Sequence, residues 1–523
     1  MTTRREGGIL AGALVVATGV GIVTQPVAAL SSAAGYALGV TAFAAILWLT
    51  GAIPLSLTAL AIPVLLVVFG VVPDFGAAVT GFADPVVFLL FAGFALAEAL
   101  QYHGIDRRVA YHVLLSVGTS PRRLVLAVMV ATAVLSMIIS NTATTAMMVP
   151  IAVGLAGEVT EVRAVDAEPA AGDDDRRGAT AAPNFQLAML LGVAYAASLG
   201  GVGTLVGTPP NAIVVGQLQE LTGYGITFLD WLVVGLPMVV LTLPVAWWLL
   251  TFVVYPPQVD DVSAARARAD RGLRESGALG PRARRTLVIF GLTALGWLAG
   301  GLGFLVRPYL PPAVYVTLFG GASPSVFGTA GHQGALYYVT VGLVGVVALV
   351  VTDAVEWDSL LDVDWGTLLL LGGGISLADA LVRTGATEWL ATAVLGGLGT
   401  VPLVALILVV VTLVVVVGEL ASNTAMAAII APLLVGIGPA YATTLGTEPS
   451  TAAAFLAIVG AVAASYGFAL PVATPPNAIA FGAGYMRRED MLRAGLPLDA
   501  VVILLATGVL TLAIRFVWPV VLG

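Results

Sequence analysis

Residues 135–150 read LSMIISNTATTAMMVP and residues 417–432 read VGELASNTAMAAIIAP. Both are apolar stretches interrupted by the same three polar residues, Ser140-Asn141-Thr142 and Ser422-Asn423-Thr424. Each is followed downstream by a second shared signature, Gly207-Thr208-Pro209-Pro210-Asn211 in one case and Ala473-Thr474-Pro475-Pro476-Asn477 in the other. Backbone can leave the helix at membrane depth only where protein or water satisfies its N–H and C=O groups. Two such breaks per half, in corresponding places, point to the substrate and ion site of a secondary transporter.

Composition fixes the environment. Of 523 residues 59% are apolar and 10% charged, with a mean hydropathy of +1.01. A soluble domain carries about 25% charged residues, so this is an all-α polytopic membrane protein. The absence of cysteine excludes a disulfide framework, a thiolate metal site and a cysteine nucleophile. Met1 to Glu6 and the apolar run from Gly8 lack the small-residue cleavage pattern of a removed signal peptide, so that run is read as the first span. All 22 basic residues are arginine, and acidic residues outnumber them by 8. A lysine-free, acidic balance suits salty surroundings; a GC-rich genome also favours arginine.

Hydropathy predicts spans near 8–28, 33–50, 55–72, 86–104, 185–203, 228–254, 286–306, 336–351, 365–382, 451–469 and 496–518. The stretches 121–157 and 401–440, each split by S-N-T, leave little room for two crossings and a loop. They are read as re-entrant hairpins with the S-N-T clusters at their tips; an ordinary pair of spans with a polar connection is the alternative. With the N-terminus cytoplasmic, nearly every arginine falls inside, the linker cluster Arg266, Arg268, Arg271, Arg274, Arg282, Arg284 and Arg285 included. Only Arg307, Arg383 and Arg515 fall outside. Eleven full spans then leave the C-terminus outside the cell membrane.

The halves also match internally. Leu96-Ala97-Glu98-Ala99-Leu100 corresponds to Leu377-Ala378-Asp379-Ala380-Leu381, and Ala197-Ser198 to Ala464-Ser465. Matching elements enter from opposite sides, which makes an inverted repeat. A polar insert, roughly 158–184 and containing Asp173-Asp174-Asp175, and the linker 255–285 read as solvated or disordered cytoplasmic segments.

A hairpin tip exposes the carbonyls that end one helix and the amides that begin the next. Carbonyls suit a small cation; amides at a positive dipole end suit an anion. Ser, Asn and Thr add neutral oxygens and N–H donors in little volume. Pro209-Pro210 and Pro475-Pro476 are expected to free upstream carbonyls for coordination. Asn211 and Asn477 are expected to bond that freed backbone or brace the tips. No arginine lies near the four motifs, so an anionic substrate would be held by dipoles, amides and accompanying Na⁺.

The paired motifs, two hairpins and inverted repeat resemble the divalent-anion/sodium symporter family, over nearly the whole chain. The resemblance implies sodium-coupled symport of C4-dicarboxylates or tricarboxylates by a homodimer, with a scaffold and an elevator-like transport domain. It implies scaffold helices over 1–72, a first transport repeat over 73–227 (hairpin 121–157, broken helix 185–220) and a connecting scaffold helix over 228–254. After the cytoplasmic linker come scaffold helices over 286–351, a second transport repeat over 352–490 (hairpin 401–440, broken helix 451–485) and a last helix over 491–523. One sodium site would use Ser136, Ser140, Asn141 and Gly207; a second would use Ala421, Asn423 and Ala473. Substrate carboxylates would meet Asn141, Thr142, Thr208, Ser422, Asn423, Thr424, Thr474 and Pro475. Pro209, Pro210, Asn211, Pro476 and Asn477 would give structural support. Gly418 departs from the family pattern, standing where relatives can offer threonine and where the first repeat has Ser136.

A sulfate or related oxyanion carrier is the alternative within the class; no soluble nucleotide-sensing insert of the kind sulfate carriers often have is present. A sodium-independent exchanger is another, which Gly418 keeps open. An enzyme is not expected: there is no H-E-x-x-H, and His103, His112 and His332 are scattered. A cation/proton antiporter would want carboxylates at the breaks, which read as neutral, and a channel would not need duplicated cradles. Glu98 and Asp379 read as structural carboxylates near helix ends, Glu419 as a brace beside the second tip. Gly200-Gly201 and Gly372-Gly373-Gly374 read as close helix contacts.

Overall fold

The computed structural model describes residues 4–27, 30–116, 118, 120–166, 184–320, 333–387, 389–390, 401–420 and 422–517. Among them the regular structure is helical throughout. Eight helices are long and apolar enough to cross a bilayer, or nine if Pro281–Gly301 and Gly303–Tyr309, bent by 65°, form one span. Leu55–Val68, Tyr338–Val351 and Pro449–Ala464 fall where spans were expected but are only 14, 14 and 16 residues long.

Proline sets many of the starts. Helices begin at Pro85, Pro121, Pro209, Pro281, Pro449 and Pro475, where a ring already holds the helical φ and the missing N–H had no partner to lose. Elsewhere side chains cap. Ser31 accepts from Ala34 N at 3.1 Å, Asp84 from Val86 N at 2.8 Å, and Thr227 with Asp230 forms a reciprocal box.

The core is built on the two interrupted helices. Asn184–Gly201 ends in a non-helical passage through Thr208 and resumes as Pro209–Thr222; Pro449–Ala464 likewise resumes as Pro475–Gly482. Both first halves are buried along almost their whole length by alanine and glycine, which let neighbouring backbones approach. A Cβ at Gly200 would sit 2.5 Å from Ala133 Cα of the helix Pro121–Ser136, and one at Gly373 2.6 Å from Ala59 O. Tyr195 of the first interrupted helix meets Phe468 of the second passage edge-on, with ring centroids 5.2 Å apart. Gln217 donates to Gly374 O and Ala428 O, each at 3.3 Å, tying the first half to the second.

Two expectations change. The linker is not a featureless solvated segment: Ser263–Glu275 is a helix packed on Asn141–Asp166 and Ile105–Leu115. It buries Val262, Ala265 and Ala269, one apolar stripe within a charged sequence, and its Arg268 and Arg271 reach Glu158 at 2.9 and 3.0 Å. The polar insert is helical through Asp166, and its Asp173-Asp174-Asp175 lies outside the described residues. The prolines, too, act differently from expectation. They begin the resumed helices rather than break the preceding ones, and the free carbonyls belong to the passage upstream.

Candidate functional site

The helices Pro121–Ser136 and Asn141–Asp166 stop and restart around Ser140, and Leu403–Gly418 and Asn423–Ile437 around Ser422. Both restarts meet in one cavity of about 310 Å³. Its lining holds Ser140, Asn141 and Thr142 from the first tip, Ser422, Asn423 and Thr424 from the second, and Thr208, Pro209, Thr474, Pro475 and Pro476 from the resumed helices. Thus clusters more than 280 residues apart, Asn141 and Asn423, share one wall-to-wall space. Four of the helix starts at this cavity belong to the motifs, at Asn141, Pro209, Asn423 and Pro475. Each start carries about half a positive charge, so together they approach about +2 without any ionised base.

The rest of the wall was not legible in the motifs. Leu55, Ser56, Phe94, Asp364, Gly366, Thr367 and Leu370 complete it. Asp364 is the one ionisable lining group, and its carboxylate is occupied in capping Trp365–Arg383: Oδ1 accepts from Thr367 N at 3.0 Å and Oδ2 from Thr367 Oγ1 at 2.5 Å. An acidic residue before an apolar helix was the available signal.

Behind the first tip lies a ring of oxygens. Ser136 Oγ lies 2.6 Å from Asn141 Oδ1 and 2.8 Å from Ala197 O, although one hydroxyl has one proton to donate. The Asn141 amide position facing them is 3.1 Å from Ala197 O and 3.3 Å from Gly207 O. Its Nδ2 donates to Thr208 Oγ1 at 3.3 Å. Oxygen so surrounded by oxygen calls for a positive neighbour: the amide nitrogen turned inward, or a cation. Ser136 and Gly207 are buried, and Ala197, which the sequence marked only as part of the repeated Ala-Ser pair, joins them. Ser140 instead holds its own helix start, accepting from Ala143 N at 3.3 Å.

The second tip differs where Gly418 replaces serine. Asn423 is 8% exposed and its Oδ1 has no hydrogen-bond partner. A Cβ at Gly418 would meet only Tyr466 O, at 3.6 Å, so the space for a side-chain ligand exists and is unfilled. Ala473 is fully buried beside Thr474; Ala421 lies outside the described residues.

Each passage is held by matching amides. Asn211 Nδ2 donates to Gly201 O at 3.0 Å and Thr204 O at 2.8 Å; Asn477 Nδ2 donates to Gly467 O and Leu470 O, both at 3.0 Å. Beyond that the two diverge. Thr204 Oγ1 donates to Met137 O and Trp231 Nε1 to Val202 O in the first. In the second, the buried Glu419 carboxylate accepts from Ala469 N at 2.9 Å and Leu470 N at 2.8 Å, and Asp499 Oδ1 from Phe468 N at 3.2 Å. The reading of neutral breaks is corrected here: two carboxylates grip the second one. Asp499 arrives from the helix Arg488–Leu512, which is why the local motif did not reveal it. Gly235 and Gly495 let helices Phe228–Trp248 and Arg488–Leu512 lie directly on these passages, since a Cβ at either would collide with Val202 O or Phe468 O.

The remaining candidates lie apart. Asp379 pairs with Arg383 at 2.6 Å, Glu98 is half-buried, His103 Nε2 contacts Ala354 O at 3.0 Å and His112 Nδ1 contacts Arg108 O at 2.7 Å. His332 is outside the described residues.

Comparison with known proteins places this architecture. The model of the sodium:sulfate symporter transmembrane region matches residues 9–522. An uncharacterized transporter of Haemophilus influenzae is 33% identical over 474 residues, covering 90% of each chain. A sodium-dependent dicarboxylate transporter of Staphylococcus saprophyticus is 29% identical over 94% of this chain and 88% of its own length. Its namesake in Staphylococcus aureus is also 29% identical, over 93% and 86%. The fold resembles that of the YdaH transporter of Alcanivorax borkumensis, with a TM-score of 0.52 at 18% identity over 84% of this chain and 87% of that one. It also resembles MtrF of Neisseria gonorrhoeae, with a TM-score of 0.51 at 12% identity over 83% and 82%. With two S-N-T tips meeting two T-P-P-N helix starts in one cavity, and a family match spanning nearly every residue, this multi-pass membrane protein belongs to the divalent-anion/sodium symporter family.

Proposed function

We propose that the chain is a sodium-coupled symporter of small dicarboxylates. The carrying observation is the shared cavity, walled by helix starts and neutral Ser, Thr and Asn groups, with no arginine in its lining and its one carboxylate, Asp364, occupied in capping a helix. Two carboxylates need about two positive charges in a low-dielectric site, and dipole ends supply part of that. Cations travelling with the substrate supply the rest. The ring of Asn141 Oδ1, Ser136 Oγ, Ala197 O and Gly207 O fits sodium in its donor chemistry, with hard neutral oxygens throughout. The same amide with its nitrogen turned inward is the natural ion-free state of that pocket. The orphaned Asn423 Oδ1, near Ala473, marks the second pocket.

A volume of about 310 Å³ favours a four-carbon dianion over the smaller sulfate, and relatives named as dicarboxylate transporters support that choice. We place Thr142, Thr208, Ser422, Thr424, Thr474 and Pro475 on the substrate side, with Asn141 and Asn423 between substrate and ions. The hairpins and interrupted helices form the moving part of an elevator in a homodimer, with the N-terminus cytoplasmic and the C-terminus outside. Labelled succinate uptake into proteoliposomes tests the reading. It is expected to require an inward sodium gradient and to be competed by fumarate more strongly than by sulfate. Equal rates without sodium would favour an exchanger, and competition by sulfate alone an oxyanion carrier.

The vacant space at Gly418 yields a further expectation. Gly418→Ser should lower the sodium concentration for half-maximal uptake about fivefold, the worth of one added neutral oxygen contact. An unchanged or higher sodium requirement in a folded protein would remove that pocket from the ion path.

A further inference from the structure

Away from the cavity, the docked linker helix closes a recess of about 290 Å³ against Ile105–Leu115 and Asn141–Asp166. Arg107 and Tyr111 line it from Ile105–Leu115, Arg268 from the linker helix, and Met147, Pro150 and Ile151 supply an apolar floor from Asn141–Asp166. We propose that this recess binds one anionic phospholipid, its phosphodiester between Arg107 and Arg268 and its acyl chain along the floor.

Charge is the first argument. Arg107, Arg268 and Arg271 gather here in a chain whose net charge is −8. Among the described residues Glu158 pairs with both Arg268 and Arg271, while the buried Asp106 attracts Arg107 but spends Oδ1 on its backbone N at 2.8 Å. Arg107 is exposed, and its side chain makes no hydrogen bond among the described residues. Arg268 is already fixed in place: its guanidinium lies flat on the hairpin helix at Gly154, where a Cβ would be 2.7 Å from Nε. One fixed and one open guanidinium, lining one recess from two different helices, form an anion clamp.

Depth is the second. Pro150 to Leu155 stand nine to fourteen residues beyond Asn141, about 13–21 Å along the helix axis. If the tip lies at mid-bilayer, that distance reaches the headgroup level of a core about 30 Å thick. Ala146 and Pro150 are exposed on a helix apolar enough to face lipid, so the floor runs on into the acyl region. A free phosphate ion would use the arginines and leave this floor bare; a phospholipid uses both.

The test uses the full-length protein in neutral detergent. Thermal unfolding midpoints are read after adding phosphatidylglycerol, phosphatidylcholine or inorganic phosphate, and lipid retention is read by native mass spectrometry. Phosphatidylglycerol should raise the midpoint and be retained, and phosphatidylcholine and inorganic phosphate should do neither. Arg107→Gln should weaken the apparent lipid affinity about fivefold and Arg107→Gln with Arg268→Gln more, roughly one increment per arginine. Arg274→Gln, whose partner Asp270 lies on the same helix, should leave it unchanged. If the double variant does not fold, Arg107→Gln alone decides, because that side chain holds nothing in place. Equal stabilisation by phosphatidylcholine, equal stabilisation by inorganic phosphate, or unchanged retention in Arg107→Gln would each overturn the proposal.

Discussion

Asn141→Ala is expected to abolish sodium-driven uptake while the protein still folds. The side chain faces the Ser136, Ala197 and Gly207 oxygens with one end and Thr208 with the other, which puts it between the ion and substrate pockets proposed above. Alanine removes the side-chain amide from the ring and, among the described residues, the hydrogen bond that ties the first tip to Thr208 at the start of the first resumed helix. Ser136 Oγ still reaches Ala197 O at 2.8 Å, which limits the folding cost to about 1–3 kcal/mol. A transport site holding both ions and substrate through one residue should lose them together, by about a hundredfold or more, since each charge-assisted contact is worth roughly 1.5–3 kcal/mol. Initial rates against sodium at several succinate concentrations check this. A variant with near-normal rates would remove Asn141 from the site, and a misfolded one would show it in size-exclusion behaviour.

Glu419→Ala should damage the fold instead. Its two oxygens satisfy the buried Ala469 amide and the part-buried Leu470 amide. Each orphaned buried donor costs about 1–3 kcal/mol, so the pair should cost about 2–6 kcal/mol, a large share of a normal folding margin. Glu419→Gln should cost less. Its amide oxygen keeps one of the two bonds, and its nitrogen can donate to the Asp499 carboxyl that already lies against Glu419. The expected order of unfolding midpoints in detergent is wild type, then Gln, then Ala. Matching midpoints for wild type and Ala would show that the passage is held by something else.

The contrast between these residues shows what a sequence reveals. The S-N-T and T-P-P-N clusters are visible in the sequence because each is short, polar and set in an apolar run, and their recurrence in the two halves ties them together. Asp499 is not, because it reaches Phe468 across 31 residues from inside an ordinary apolar helix. Ala197 contributes only a carbonyl, which every residue has, so its place in the repeated Ala-Ser pair carried no hint of that role. Asp364 stood out by charge but not by place, since nothing local says which helix start will face a cavity. The linker was misread through its charge content, although Val262, Ala265 and Ala269 already marked a buried stripe. The prolines were read as breakers where their missing N–H made them openers.

The four helix starts around the cavity have an electrical consequence. Their partial charges belong to the protein, so they attract the cargo without being delivered with it. Only what is released on the far side counts against the membrane voltage. A dianion released with two sodium ions is silent to that voltage; a third sodium would let the cell's resting potential drive the cycle, at about 2.3 kcal/mol per charge for every 100 mV.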